Sequence, residues 1–230
     1  MPCACCTDGN DQAEISTDAV FSTMELISSQ VKETFLSISK ESVDLMLTLL
    51  VLCKENGNCI FIAGTGRSGL MGRSFAMRLM HLGLKVHIIG ETVTPAVQAG
   101  DILIAISESG STKSVINVAE KCNEVGAFVI SLTAEEDSVL GDLSSVNVVL
   151  PSKFNDDNPN ENQQDEGKMD ETPPDVDLSD DGSCVCSVQM VMGAAFEILT
   201  LIFTDSIVLN LTYVVGVSED GMKARQANME

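Results

Sequence analysis

Between residues 59 and 151 the chain alternates short, nearly continuous apolar runs with amphipathic stretches of helical spacing. Strands that are buried on both faces of a parallel sheet need such runs, and helices connect them. This alternation predicts a doubly wound, three-layer α/β fold of flavodoxin-like type, with five parallel strands. The predicted strands are residues 59–63, 86–89, 102–106, 128–132 and 146–150, with helices near 69–82, 112–125 and 137–143 between them.

Helices are also predicted outside this region. Apolar residues recur at helical spacing in residues 16–37 and 42–54, ahead of the first strand. A later apolar stretch, residues 190–217, approaches the length of a membrane-spanning helix. It contains Glu197 and Asp205, and two carboxylates are costly in a bilayer. We therefore expect a buried core helix and no membrane partner.

The acidic residues are unevenly distributed along the chain. Residues 154–183 carry eleven carboxylates and one lysine, with almost no apolar side chain to bury. A segment of this composition cannot form a core, so we expect a disordered acidic insertion. The remainder, residues 16–153 and 184–230, is long enough for a single domain, and residues 1–15 are expected to form a disordered tail.

Charge and cysteine content restrict the partners and the compartment. A net charge of −21 argues against a nucleic-acid partner, because binding to a phosphate backbone needs clustered Lys and Arg. The eight cysteines lack the spacing of a secreted disulfide scaffold, which indicates reduced thiols. No basic segment precedes an apolar stretch near residue 1. The sequence thus predicts a cytoplasmic protein.

The first predicted strand runs directly into Gly64-Thr65-Gly66-Arg67-Ser68-Gly69 and then into a helix. Free backbone N–H groups and the helix dipole at such a junction attract an anion. The same residues match the G-x-G-x-x-G pattern of dinucleotide-binding folds, and Glu91 follows the second strand, where a ribose-binding acid is expected. Taken alone, this loop fits either a phosphate or a dinucleotide.

A second loop, Ser107-Glu108-Ser109-Gly110-Ser111-Thr112, follows the third predicted strand and again opens onto a helix. Its four hydroxyl groups, beside backbone amides, can surround the oxygens of one phosphate monoester without a cationic patch. Both loops are expected at the carboxyl ends of neighbouring strands, where ligands of this architecture bind. The two loops together favour a phosphorylated small molecule over a dinucleotide.

Longer stretches carry a more specific signal. They are residues 64–69, 75–83 (Phe-Ala-Met-Arg-Leu-Met-His-Leu-Gly), 90–95 (Gly-Glu-Thr-Val-Thr-Pro) and the S-x-S-G-x-T pattern at 107–112. Together they resemble the 6-phospho-3-hexuloisomerases of the sugar isomerase (SIS) superfamily, over about residues 43–151 and 192–230. The resemblance implies an SIS fold and an isomerase that interconverts D-arabino-hex-3-ulose 6-phosphate and D-fructose 6-phosphate in the ribulose monophosphate pathway. It further implies a homotetramer that needs no metal or nucleotide cofactor.

The resemblance also implies which residues bind the phosphorylated ketohexose substrate. Arg67 either assists the phosphate or lies at the surface as an ordinary charged residue. The full set expected to bind the substrate or its phosphate is Gly66, Arg67, Ser68, Glu91, Ser107, Ser109, Ser111 and Thr112.

Moving a carbonyl group between adjacent carbons needs a base that removes a proton from one carbon and returns it to the next. Glu197 matches the family's position for this base, and desolvation at the edge of an apolar helix raises the pKa of a carboxyl group. The alternative role is a helix carboxylate paired with an arginine. His81 is the candidate for the second acid or base, or else a packing histidine, and His87 is expected to be structural.

Two departures from the family leave other functions open. The family's C-terminal segment commonly reads Arg-His-Ala-Asn-Leu-Glu, and Gln226 replaces its histidine here. A glutamine keeps a hydrogen bond but cannot carry a proton, and the acidic insertion is the second departure. A non-catalytic regulatory protein that binds a sugar phosphate is one alternative, and an isomerase for another phosphosugar is the nearer one.

The helices flanking the sheet are expected to leave apolar surface exposed. The first two helices and the last long one each carry apolar residues on more than one face. A soluble monomer rarely exposes so much apolar surface. The sequence therefore predicts a homo-oligomer.

Overall fold

The computed structural model describes residues 17–151 and 194–226 of the chain. The predicted N-terminal tail, the acidic insertion and the last four residues lie outside the described residues. The domain boundaries that depend on those segments therefore stay predictions.

Five parallel strands form one sheet in the order β2-β1-β3-β4-β5. This is the predicted flavodoxin-like order, and it confirms the doubly wound architecture. The observed strands differ from the predicted ones by at most one residue at each end. They are β1 (Cys59–Gly64), β2 (Lys85–Ile88), β3 (Ile102–Ile106), β4 (Phe128–Thr133) and β5 (Val146–Val149).

Seven α-helices and one 3-10 turn lie in the described part of the chain. The helix after β1 begins three residues earlier than predicted, because residues 66–68 of the glycine-rich loop form its first turn. The helix before β5 is reduced to one turn, which Ser138 caps by accepting from the Gly141 N–H. The helices are α1 (Thr17–Thr34), α2 (Lys40–Asn56), α3 (Gly66–His81), α4 (Lys113–Glu124), α5 (Val139–Asp142), α6 (Ala194–Val215) and α7 (Glu219–Lys223), and the turn is Phe35–Ser37.

Two apolar cores cover the two faces of the sheet. On one face, side chains of α2, α3 and α6 pack on the isoleucines of β1 and β3. On the other face, Phe61 and Leu103 pack under α4 and α5, together with Val115, Ala119 and Leu140. The central strand β3 is buried along its whole length. Helices on both faces of a parallel sheet give the predicted three layers.

Helix α6 is long and apolar enough to cross a membrane, judged by length and composition alone. Its side chains Phe196, Leu199 and Val208 are nevertheless buried in the core against the sheet. The opposite side carries Tyr213 and Val214, which are 86% and 63% exposed. We therefore describe α6 as a core helix with one uncovered apolar side.

Asp101 joins the two strands that carry the glycine- and serine-rich loops. Its buried carboxylate accepts from the backbone N–H of Cys59, at the start of β1, at 2.8 Å. The other carboxylate oxygen accepts from the Gln98 N–H at 2.7 Å. Asp101 itself directly precedes β3. One side chain therefore fixes the start of β1 beside the start of β3.

Asp101→Asn should lower the free energy of unfolding by about 1–3 kcal/mol. An amide has one acceptor oxygen, so its NH₂ group would face one of the two backbone N–H donors and leave it unpaired. Urea unfolding measures the change, and Asp137→Asn, at an exposed aspartate, is the matched control. Equal stability of the two variants would contradict this account of Asp101.

Candidate active site

The two loops singled out in the sequence lie side by side. In the parallel pair β1·β3, Gly64 is opposite Ile106, so both strands end at the same level. Residues 64–69, here called the β1 loop, and residues 107–112, the β3 loop, therefore emerge together at the carboxyl edge of the sheet. Each loop leads into a helix, α3 or α4. The two helix N-termini thus begin next to each other.

The β1 loop is shaped by its glycines. Gly66 has φ of +56°, which favours glycine. Gly69 lies so close to the strand end that a Cβ atom would be 2.7 Å from the Gly64 carbonyl oxygen. The first N–H groups of an α-helix have no partner within the helix. The close approach therefore presents the N–H groups of residues 66–68 at the edge of the sheet, where they can bind an anion.

The hydroxyl groups of the β3 loop are paired. Ser107 and Thr112 share a hydrogen bond of 2.9 Å, and Ser109 and Ser111 share one of 2.8 Å. Ser107 is buried, whereas Ser109 and Ser111 are exposed. A hydroxyl group both donates and accepts, so each pair can still bond to a phosphate oxygen.

Strand β4 and helix α5 support the β3 loop from behind. The Ala134 N–H donates to the Glu108 carbonyl at 2.9 Å, and the Leu140 N–H donates to the Gly110 carbonyl at 3.0 Å. Gly110 has φ of +59° and packs directly against the Ser138 side chain. The loop is therefore held in shape by backbone hydrogen bonds as well as by its own hydroxyl groups.

Glu197, in the first turn of α6, reaches the same edge. Its carboxylate lies 3.2 Å from the Arg67 guanidinium, and its side chain is 10% exposed against 48% for Arg67. Both predicted roles of Glu197 thus have a structural basis, since the carboxylate is buried and is also paired with an arginine. Arg67 belongs to the β1 loop and lies within reach of α6.

The environment of Glu197 raises its pKa above the ordinary value. Burial is the main cause, and the carboxylate of Glu108 in the β3 loop adds to it. The Arg67 guanidinium and the backbone N–H of Glu197 act in the opposite direction and lower the pKa. Glu197 therefore experiences charges from both loops. A buried carboxyl group with a raised pKa is suited to proton transfer near neutral pH.

Glu91 follows β2, the strand beside β1, and forms an ion pair of 2.6 Å with Arg73 of α3. Both side chains are about half exposed. Glu91 thus lies at the same edge of the sheet as the two loops. Its carboxylate is engaged by a cation that the sequence did not single out.

His81 is separated from Glu197 within one chain. It is the last residue of α3, whose first turn carries Arg67, and a helix of that length spans about 22 Å at roughly 1.5 Å per residue. His81 lines a groove of about 690 Å³ between α3, α6 and α7, together with Gln226, which replaces the family's histidine. Within one chain His81 therefore lies far from Glu197, and its role as the second acid or base stays a prediction.

Two further residues, His87 and Glu108, have surroundings that only the structure shows. His87 stacks on buried Phe61, with ring centroids 5.4 Å apart. Glu108 was part of the recognised β3 loop, but only the fold brings its charge close to Glu197. Within residues 17–151 and 194–226, no three His, Cys, Asp or Glu side chains are grouped as metal ligands would be.

Comparison with known proteins gives a consistent family. The SIS domain model matches residues 55–156. A 3-hexulose-6-phosphate isomerase of Bacillus subtilis is 36% identical over 74% of this chain and 80% of its own length. One of Mycobacterium gastri is 29% identical over 97% of this chain and 98% of its own.

A solved structure agrees with these relatives. A hypothetical protein of Methanococcus jannaschii, whose structure was taken to infer a 3-hexulose-6-phosphate isomerase, has a TM-score of 0.67 and 28% identity. The match covers 91% of this chain and 99% of that protein. The chain therefore belongs to the 3-hexulose-6-phosphate isomerase family of SIS-domain proteins. These relatives support a sugar-phosphate isomerase that acts on a phosphosugar.

Glu197→Gln should stabilise the fold at neutral pH. The pKa of Glu197 is raised in the folded state above its ordinary 4.5, so the folded state binds the proton more tightly than the unfolded state. The free energy of unfolding of the wild type therefore falls as the pH rises above 4.5, whereas glutamine has no charge to bury. The variant and the wild type should be similar at about pH 4, with the variant increasingly more stable towards pH 7.

Urea unfolding at several pH values tests this dependence. Glu124→Gln is the matched control, since Glu124 is exposed and pairs with Lys121 at the surface. Its effect should be small, because exposed pairs contribute about 0–1 kcal/mol. A difference between Glu197→Gln and wild type that stays constant with pH would contradict the raised pKa.

Proposed function

We propose that this chain interconverts D-arabino-hex-3-ulose 6-phosphate and D-fructose 6-phosphate through an enediol, by general acid–base catalysis. The observation that carries the proposal is the buried carboxylate of Glu197, which lies near both the β1 loop and the β3 loop. The relatives from Bacillus subtilis and Mycobacterium gastri are named 3-hexulose-6-phosphate isomerases, which supports a 3-hexulose 6-phosphate as one of the two substrates.

Phosphate binding is the first step of the proposed mechanism. The phosphoryl group would accept from backbone N–H groups at the start of α3, beginning with Gly66, and from the Ser68 hydroxyl. The hydroxyl groups of the β3 loop would supply the remaining hydrogen bonds; they belong to Ser107, Ser109, Ser111 and Thr112. Glu91, at the same edge, would contact the sugar. This arrangement fixes the carbon chain beside α6.

Glu197 would then remove the proton from C2 of the 3-ketose. The C–H electron pair forms the C2=C3 double bond, and the carbonyl oxygen on C3 takes up a proton, which gives the enediol. Loss of the O2 proton restores a carbonyl at C2, and Glu197 returns its proton to C3. Every proton and electron pair stays within the substrate, Glu197 and a second protein group that serves the two oxygens. The conversion therefore needs no external oxidant or reductant.

The proton transfer between the two oxygens needs a second group, for which His81 remains our candidate. His81 and Glu197 lie at opposite ends of α3, so His81 would have to come from another copy of the chain. The exposed apolar side chains next to its groove, Leu209 and Tyr213, favour such an association. We therefore include a homo-oligomer, with a tetramer as the expected size, in the proposal.

A sugar-phosphate sensor is the second candidate. Gln226 lines the groove beside His81 and cannot carry a proton, which favours binding without turnover. Calorimetry that shows tight binding of fructose 6-phosphate, with no conversion in the assay, would support the sensor. A screen of other phosphosugars would distinguish an isomerase with a different substrate. A cytoplasmic location and the ribulose monophosphate pathway are the setting we propose.

Glu197→Gln should lower kcat for the conversion of the 3-hexulose 6-phosphate by about 10²–10⁴-fold, the usual contribution of a general base. Binding of fructose 6-phosphate should persist, because glutamine keeps the shape of the side chain. A coupled assay of fructose 6-phosphate formation measures the rate, with Glu124→Gln as the matched control. Undiminished turnover in Glu197→Gln would remove Glu197 from the mechanism.

Mixing two inactive variants tests whether His81 acts across subunits. In a mixed oligomer of Glu197→Gln and His81→Asn, some sites would combine Glu197 of one chain with His81 of another. Activity should therefore reappear after the two proteins are unfolded and refolded together. Persistent inactivity of a confirmed mixed oligomer, or a sedimentation mass of one chain for the wild type, would contradict the shared site.

A further inference from the structure

Arg67 connects the proposed phosphate site to the proposed base. It is the second residue of α3, between Gly66 and Ser68, where helix N–H groups are available to an anion. Its guanidinium reaches the Glu197 carboxylate at 3.2 Å while almost half of the side chain stays in contact with solvent. An anion that arrives at the helix N-terminus would therefore meet a cation that is already shared with the buried carboxylate.

The geometry of the contact between Arg67 and Glu197 would allow the guanidinium to leave the carboxylate for a phosphoryl group. One guanidinium nitrogen lies near one carboxylate oxygen, and that oxygen, Oε2, has no partner in good hydrogen-bond geometry. A phosphoryl dianion offers arginine two parallel, charge-assisted hydrogen bonds. The off-axis contact of Arg67 with Glu197 Oε2 is weaker than such a bidentate pair, so a bound phosphoryl group should attract the guanidinium.

We propose that Arg67 is a positioning residue that pairs with Glu197 in the free protein and moves to the phosphoryl group of the substrate, which frees Glu197 for proton abstraction. This inference rests on the proposed function and extends it to substrate selection. A sugar without a phosphate leaves the pair intact. The phosphate then contributes to turnover as well as to binding.

The charges around Glu197 determine whether its pKa rises or falls when Arg67 leaves. Arg67 of α3 lowers its pKa, Glu108 of the β3 loop raises it, and its own backbone N–H lowers it. Departure of Arg67 leaves burial and Glu108 to act against the backbone N–H, so the carboxylate becomes a stronger base. The phosphate dianion adds a further negative charge nearby, which acts in the same direction.

The test measures the pKa of Glu197 directly, with inorganic phosphate as the probe. Carboxyl resonances of ¹³C-labelled glutamate are followed by NMR over pH in the full chain, and Glu197→Gln identifies the signal. In the wild type, saturating phosphate should raise the pKa of Glu197 by about 1 unit or more, the size of an arginine's effect on a neighbouring carboxylate. In Arg67→Gln, the pKa should start higher and rise by less.

The remaining rise in Arg67→Gln measures direct repulsion by the phosphate. Lys113→Gln, which removes a cation at the start of α4 instead, is the matched control and should show the full wild-type rise. Equal rises in the wild type and Arg67→Gln would overturn the proposal, and so would the absence of a rise in the wild type.

The NMR titration needs no turnover, so it separates this inference from the proposed function. If the wild type shows no conversion in the coupled assay, the proposed function fails, and if Glu197→Gln remains fully active, Glu197 is not the base. In either case the phosphate-dependent rise in the pKa of Glu197 still decides whether Arg67 moves. If the variant is inactive and the rise is absent, the proposed function stands and the exchange of Arg67 fails.

Discussion

The parallel pairing of β1 with β3 is the constraint on which the site depends. Because Gly64 and Ile106 are opposite each other, both strands deliver their loops at one level of the sheet. Each loop then begins a helix, so two sets of unpaired N–H groups converge. No cationic cluster is needed to hold a phosphate at such a place, which agrees with a chain as acidic as this one.

The site combines two rigid loops with one buried carboxylate, Glu197, whose charged form is destabilised by burial. The two loops are held by glycine geometry, by hydrogen bonds from β4 and by close packing of Gly69 on Gly64. Glu197 comes from α6, on the far side of the long acidic segment in sequence, and its burial works against its charge. Such a carboxylate is costly for folding, and functional sites commonly carry costs of this kind.

The strand order, the three layers and the positions of both loops could be predicted from the sequence, because parallel strands and glycine-rich turns have strong local patterns. The early start of α3 at Gly66 was missed, since the helix incorporates loop residues that carry no apolar periodicity. The position of His81 was within reach of sequence reasoning. A crossover helix that begins at the carboxyl edge of a parallel sheet ends at the opposite edge, which places His81 away from the two loops. The approach of Glu108 and Arg67 to Glu197 could not be predicted, because it depends on how α6 packs against residues that lie 89 and 130 positions earlier in the chain.

The most direct measurement is a crystal structure of Glu197→Gln with fructose 6-phosphate bound. The account predicts the phosphoryl group between the β1 and β3 loops, with C2 and C3 of the open-chain sugar about 3–3.5 Å from the side chain at position 197. A phosphoryl group bound in the groove beside His81, or a sugar whose C2 and C3 lie beyond the reach of that side chain, would contradict it.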